Sequence, residues 1–176
     1  MVSIILGLGA TQALRGFSKI AQSSQSFLPL TIWAAVLFYL YLQVWWALWD
    51  LNAVGTWNQV YFYLVVAIPC TLFAATELLL PLASNANTDW KLHFFSVRKW
   101  FFGVLFVFSV IAILETYVFL NVPLNHPYRV MQVALTALVV AGFLVKTAKT
   151  LVWLGVTYFF GLLVGQVLFR FLPGLS

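Results

Sequence analysis

Six stretches of mostly apolar residues divide the chain, each close to the ~20 residues that cross a hydrocarbon core. They run over residues 2–21, 29–50, 58–82, 98–120, 129–147 and 151–172. Within them the apolar positions are continuous rather than alternating. Continuity excludes the short two-faced strands of a membrane barrel and leaves helices, which satisfy their own backbone in lipid. The expected fold is an all-α integral membrane protein, a six-transmembrane-helix bundle forming one domain over residues 1–176.

The first stretch is the least apolar. Its clean part ends near Leu14, and Thr11, Gln12, Arg15, Ser18, Lys19 and Gln22 gather on one face. Two readings stand. Val2 to Leu14 is apolar all round, which suits a spanning helix. The polar face suits an interfacial amphipathic helix instead, with only the other stretches spanning. Arg15 and Lys19 follow the apolar part rather than precede it, an order unlike that of a cleaved secretory signal.

The connections are short and polar. The longest, Ser84 to Lys99, carries Asp89, Lys91, His93, Arg98 and Lys99 and reads as a solvated loop. Asn121 to Arg129 holds Pro123 and Pro127 and reads as a stiff turn, with His126 as a capping or turn residue. Lys146 to Thr150 reads as a tight polar turn.

Composition narrows the picture. The chain is 64% hydrophobic and only 7% charged, against roughly a quarter charged in soluble domains. So few charges cannot wet a globule of this size. The net charge of +5 is spread thinly between apolar runs, which excludes the basic tracts of a nucleic-acid binder. Cys70 is the single cysteine, so no internal disulfide forms.

The positions of the basic residues carry orientation. Arg15, Lys19, Lys91, Arg98, Lys99, Lys146 and Lys149 follow the first, third and fifth stretches, and only Arg129 and Arg170 lie on the opposite side. This bias predicts a multi-pass protein of a bacterial inner (cell) membrane with both termini outside the cytoplasm. Trp45, Trp46, Trp49 and Trp57 then cluster at the outer boundary.

Polar residues inside the apolar stretches sort into two layers. The inner layer holds Gln12, Arg15, Glu77 and Lys146, with Glu77 expected against Arg15, Lys19 or Lys146 as an ion pair or an ion site. The outer layer holds Tyr39, Gln43, Trp46, Asp50, Glu115, Gln132, Gln166 and Arg170, with Arg170 the first expected partner of Glu115 and Arg129 the second. Between the layers the helices are almost wholly apolar, which implies either a hydrophobic gate or no pathway. Gly161 and Gly165, like Ala137 and Ala141, have the spacing of helix contacts, inside the bundle or between protomers.

Catalytic patterns are missing. His93 and His126 fall on opposite sides, so they cannot share a metal, and no nucleotide loop or nucleophile elbow is present. No enzyme activity and no cofactor or metal are expected. Two function classes remain. One is an ion, proton or small-solute channel or transporter acting as an oligomer. The other is a non-transporting assembly, lipid-binding or partner-binding subunit. Both imply membrane lipid as surroundings and a second copy or another membrane protein as partner.

The topology is testable in a Cys70-free background. Single cysteines at Ser24, Asn87 and Thr147 should be shielded from an impermeant thiol reagent added outside, and one at Asn125 should label. Labelling at Ser24 with protection at Asn125 inverts the orientation.

Overall fold

A computed structural model describes residues 2–23, 26–50, 57–83, 88–120, 123 and 125–168. In order, the helices are α1 (Val2–Gln22), α2 (Leu28–Asp50), α3 (Gln59–Leu79), α4 (Trp90–Leu120), α5 (Pro127–Leu144) and α6 (Ala148–Gln166). Among the described residues the regular structure is helical throughout. Five helices, α2 to α6, are long and apolar enough to cross a membrane, which suggests a multi-pass membrane protein. The polar positions of α1 keep it out of that group.

The packing explains the arrangement. The five apolar helices close a ring, each packed on the next, with α6 returning to α2. Outside the ring, α1 lies in the groove between α2 and α3. It buries Leu6, Gly9, Gln12, Ala13, Gly16 and Ile20, a face that runs the length of the helix. One end of the bundle collects Lys19, Lys91, Arg98, Lys99, Lys146 and Lys149 and is here termed the basic end. The far end carries Asn58 and His126, which cap α3 and α5 through bonds from Tyr61 N (2.9 Å) and Tyr128 N (3.2 Å).

Several helix boundaries differ from those expected, and three have a clear local cause. α4 starts at Trp90 rather than residue 98, so most of the presumed solvated loop is helix. Asp89 caps its first turn by accepting from Leu92 N at 2.9 Å. Trp90, Phe94, Arg98, Phe101, Phe102 and Leu105 then follow at helical spacing and are all buried. The interleaved charges occupy the other faces. α4 therefore has 31 residues and a length of about 46 Å, longer than the ~30 Å hydrocarbon core. α3 stops at Leu79 because Pro81 bars the residue before it from helical geometry, and Leu80 takes φ −130 and ψ 66. α5 starts at Pro127, where a missing N–H costs nothing.

The basic half is a solid core. Trp33 stands at its centre, edge-on to Phe101 (5.8 Å) and Phe102 (4.9 Å). Its indole Nε1 donates to Leu151 O at 3.2 Å, which ties α2 to the first turn of α6. Leu30, Leu37, Leu72, Leu79 and Leu105 fill the space around it and are fully buried. Around α5, close approach needs glycine at two places. Phe102 presses on Gly142 of α5, where any Cβ would overlap the ring. On α6, Leu135 and Met131 of α5 seat on Gly161 and Gly165. The small-residue pair on α6 therefore works inside the bundle. Ala137 of the second pair is exposed.

The two glycine contacts differ in what can yield. The Phe102 ring is held on all sides, whereas the Met131 thioether end is flexible. Gly142→Ala should destabilise the protein by about 1–3 kcal/mol. Gly165→Ala should cost clearly less. Thermal unfolding in detergent measures both, and equal losses would contradict the packing described.

Candidate functional site

Two polar arrangements stand out, one at each end. At the basic end the break after α3 leaves carbonyls without intrahelical donors. Side chains from two other helices take them. Gln12 of α1 donates through Nε2 to Leu80 O at 3.1 Å. Lys19 of α1 donates to Leu82 O at 2.8 Å. His93 of α4 bonds Leu78 O through Nε2 at 3.2 Å, so that nitrogen carries a proton. Gly16, between Gln12 and Lys19 on the same face of α1, lets the Leu80 side chain lie against the helix.

Glu77 belongs to this cluster. Its Oε2 accepts from Gln12 Nε2, and its Oε1 accepts from Leu82 N at 3.4 Å. The ion pair expected with Arg15, Lys19 or Lys146 is replaced by an amide contact. Arg15 and Lys146 are exposed, and Lys19 reaches the next carbonyl of the same turn rather than the carboxylate. An uncharged partner suffices because a carboxylate held by N–H donors at a half-buried site loses less solvation than one sealed inside. His93 is correspondingly a capping side chain, edge-on to Trp90 at 6.0 Å, rather than a loop residue beside Asp89.

The far half is hollow. A cavity of about 170 Å³ lies between α2, α3, α4, α5 and α6. Gln43, Glu115, Gln132 and Gln166, placed in one layer by the sequence, all line it. Ser109, Thr116, Thr136 and Tyr158 add further polar groups, and Leu40, Val44, Ile68 and Phe108 supply apolar wall. Ala47, Ala112 and Gly165 are the small residues whose short side chains leave the space. Arg170 and the Asp50 side chain lie outside the described residues. Toward the basic end the next turn of the lining helices brings Leu37, Leu72, Leu105 and Val139, each fully buried. With Trp33 beneath Tyr158 (5.8 Å between rings) these residues form a closed floor.

One residue organises the polar wall, and the sequence reading weighed it only as a second candidate partner for Glu115. Arg129 at the start of α5 is buried. Its Nη1 donates to Ile113 O (2.8 Å), Thr116 Oγ1 (2.6 Å) and Gln132 Oε1 (2.8 Å). It thereby clamps α5 to α4 and fixes which way Thr116 and Gln132 face. The signal was present as Arg129, Gln132 and Thr136 at helical spacing along one face of α5, with Thr136 Oγ1 bonded to Gln132 O at 2.8 Å. Gln43 is oriented similarly, donating to Tyr39 Oη at 2.7 Å.

Among the described residues no group of three His, Cys, Asp or Glu could hold a metal ion. The arrangement can bind, through hydrogen bonds and apolar contact, and shows no nucleophile with a base. No protein-family model, no curated protein and no solved structure matches the chain.

The Gln12–Glu77 contact yields an ordering of mutants. Gln12→Leu leaves a carboxylate oxygen and Leu80 O without their donor and should destabilise by about 1–3 kcal/mol for each group left unsatisfied. Glu77→Gln should cost less, because an amide can face an amide. Arg15→Gln should stay within about 0.5 kcal/mol of wild type. Equal losses for Gln12→Leu and Arg15→Gln in thermal unfolding would refute the assignment.

Proposed function

We propose that the chain is a membrane-embedded binding subunit that takes one small amphipathic molecule into the cavity of its far half. The observation carrying this reading is the amphipathic void above a closed floor. A cavity of roughly 150 Å³ admits benzene, so about 170 Å³ suits a single ring-sized group. The apolar wall would take the ring. Gln43, Gln132 and Gln166 would meet its hydrogen-bonding substituents. Passage of an ion or solute through one copy would require Trp33, Leu37, Leu72, Leu105 and Val139 to part, which disfavours the channel or transporter reading for a single chain.

Placement in the membrane follows from charge. The concentration of basic residues at one end supports setting that end at the cytoplasm of a bacterial cell membrane, with the cavity in the outer half. α1 would be a sixth span, since its 21 residues rise about 31 Å and pack along α2 and α3.

Phenol and benzene are suitable probes. Saturation-transfer NMR on the detergent-solubilised protein should show binding of both, with phenol tighter because its hydroxyl answers the polar wall. Ala112→Phe fills the cavity and should abolish the specific transfer while leaving the fold intact by circular dichroism. Equal signals from wild type and Ala112→Phe would mean that the probes sit in detergent and would end the binding reading. Proteoliposomes offer the opposing outcome. A monovalent cation or proton flux that Glu115→Gln removes would replace this proposal with transport.

A further inference from the structure

Arg98 is 5% exposed, yet its Nε and Nη1 have no hydrogen-bond partner. A buried guanidinium without an acceptor is expensive, and an arginine inside a membrane protein is ordinarily paired. Trp90 lies two turns nearer the start of α4 on the same face. It is fully buried, and its indole Nε1 also has no partner. The atoms left wanting here are all donors, so the missing group is an acceptor.

The chain itself cannot supply an anion. It has four carboxylates in all, Asp50, Glu77, Asp89 and Glu115. Asp50 and Glu115 belong to the far end. Glu77 is engaged by Gln12 and Leu82. Asp89 caps α4 through Leu92 N, nine residues and about 13 Å of helix rise from Arg98. Against Glu77 and Asp89, the basic end carries Arg15, Lys19, Lys91, Arg98, Lys99, Lys146 and Lys149. Position adds one of these to the same end. Phe102 meets Gly142, Arg98 lies one turn before Phe102 on α4, and α5 ends at Leu144, so the turn that carries the exposed Lys146 follows at this end of the bundle.

We propose that Arg98 holds a phosphate group at the basic end of the bundle, with Lys146 adding charge from the turn after α5. An arginine fork and a phosphate match in geometry and charge, and the resulting hydrogen bonds are among the strongest a side chain makes. A phospholipid headgroup and free phosphate present the same oxyanion. The headgroup has the advantage of standing at this depth in the bilayer already. The site is independent of the far-half cavity and stands or falls without it.

The test uses the protein in a phosphate-free maltoside detergent. Its melting temperature is followed with added inorganic phosphate, with added phosphatidylglycerol, and with chloride at matched ionic strength. Binding at ten times the dissociation constant should raise the wild-type midpoint by about 3–6 °C. A rise with phosphate identifies the free anion as a ligand, and a rise with phosphatidylglycerol alone identifies the headgroup. Arg98→Met should remove the rise. With neither ligand present, Arg98→Met should melt above wild type, because it deletes an unpaired buried charge. The proposal is overturned if wild type responds no more to phosphate or phosphatidylglycerol than to chloride. It is equally overturned if Arg98→Met keeps the full response. Should Arg98→Met fail to fold, the wild-type comparison with chloride still decides.

Discussion

The bundle depends on how the end of α3 is satisfied. Pro81 stops that helix at the basic end and leaves the carbonyls of its last turn without intrahelical donors. Gln12 and Lys19 reach them from α1, and His93 reaches them from α4. Each donor therefore also fixes a helix. α1, the least apolar element, gains a place in the groove of α2 and α3 that its own hydrophobicity would not secure. α4 is drawn across the break for two further turns, long enough for Phe94 to reach Phe27 at 5.6 Å. Tyr41 completes the joint. The Thr76 hydroxyl is spent on Leu72 O, so Tyr41 donates to Thr76 Oγ1 at 2.9 Å, with its ring on Gly9.

Above that joint the two halves are built on different principles. The basic half is filled by large rigid rings, with Trp33 as the keystone that meets α4 edge-on and α6 by a hydrogen bond. The far half sets amides, hydroxyls and small residues among its rings. Polar side chains there bond along their own helices, as Thr116 does to Ala112 O (3.0 Å) and Thr136 to Gln132 O (2.8 Å). Such local bonds satisfy the hydroxyls without drawing the helices together. A void is the consequence. Arg129 keeps it from collapsing between α4 and α5 by holding Thr116 and Gln132 in place.

Much of this was legible in the apolar runs alone. Continuous stretches of about twenty residues predict spanning helices whatever their tertiary contacts, and α2, α3, α5 and the start of α6 followed within a few residues, while the expected end of α6 at residue 172 lies outside the described residues. α4 was misjudged because charges were weighed by count rather than by face. Lys91 and Lys99 flank a stripe in which Trp90, Phe94 and Phe101 are spaced for one side of a helix. Glu77 was assigned a basic partner on proximity of charge. Arg15, one residue from Gly16, points about 100° away from it round the helix, and that angle matters more than its sign. For the cavity, the sequence placed Gln43, Glu115, Gln132 and Gln166 at one depth. It could not show the space between them, which exists because Ala47, Ala112 and Gly165 are small at one shared level. That coincidence involves three helices and has no periodicity to reveal it.

Among the described residues two arginines are buried, and the contrast between them follows from where each sits. Arg129 lies against a helix carbonyl, a hydroxyl and an amide, so its charge is spread over acceptors that the protein owns. Neutral acceptors serve there because the far end holds few other cations to repel it. Arg98 lies where Lys and Arg outnumber carboxylates, with both acids of that end occupied by backbone and amide donors. A neutral acceptor would leave that surplus unchanged, whereas an oxyanion reduces it and fills the hydrogen-bonding vacancy together. The same excess of positive charge at that end therefore also selects what can satisfy the Arg98 guanidinium, whose Nε and Nη1 have no acceptor among the described residues.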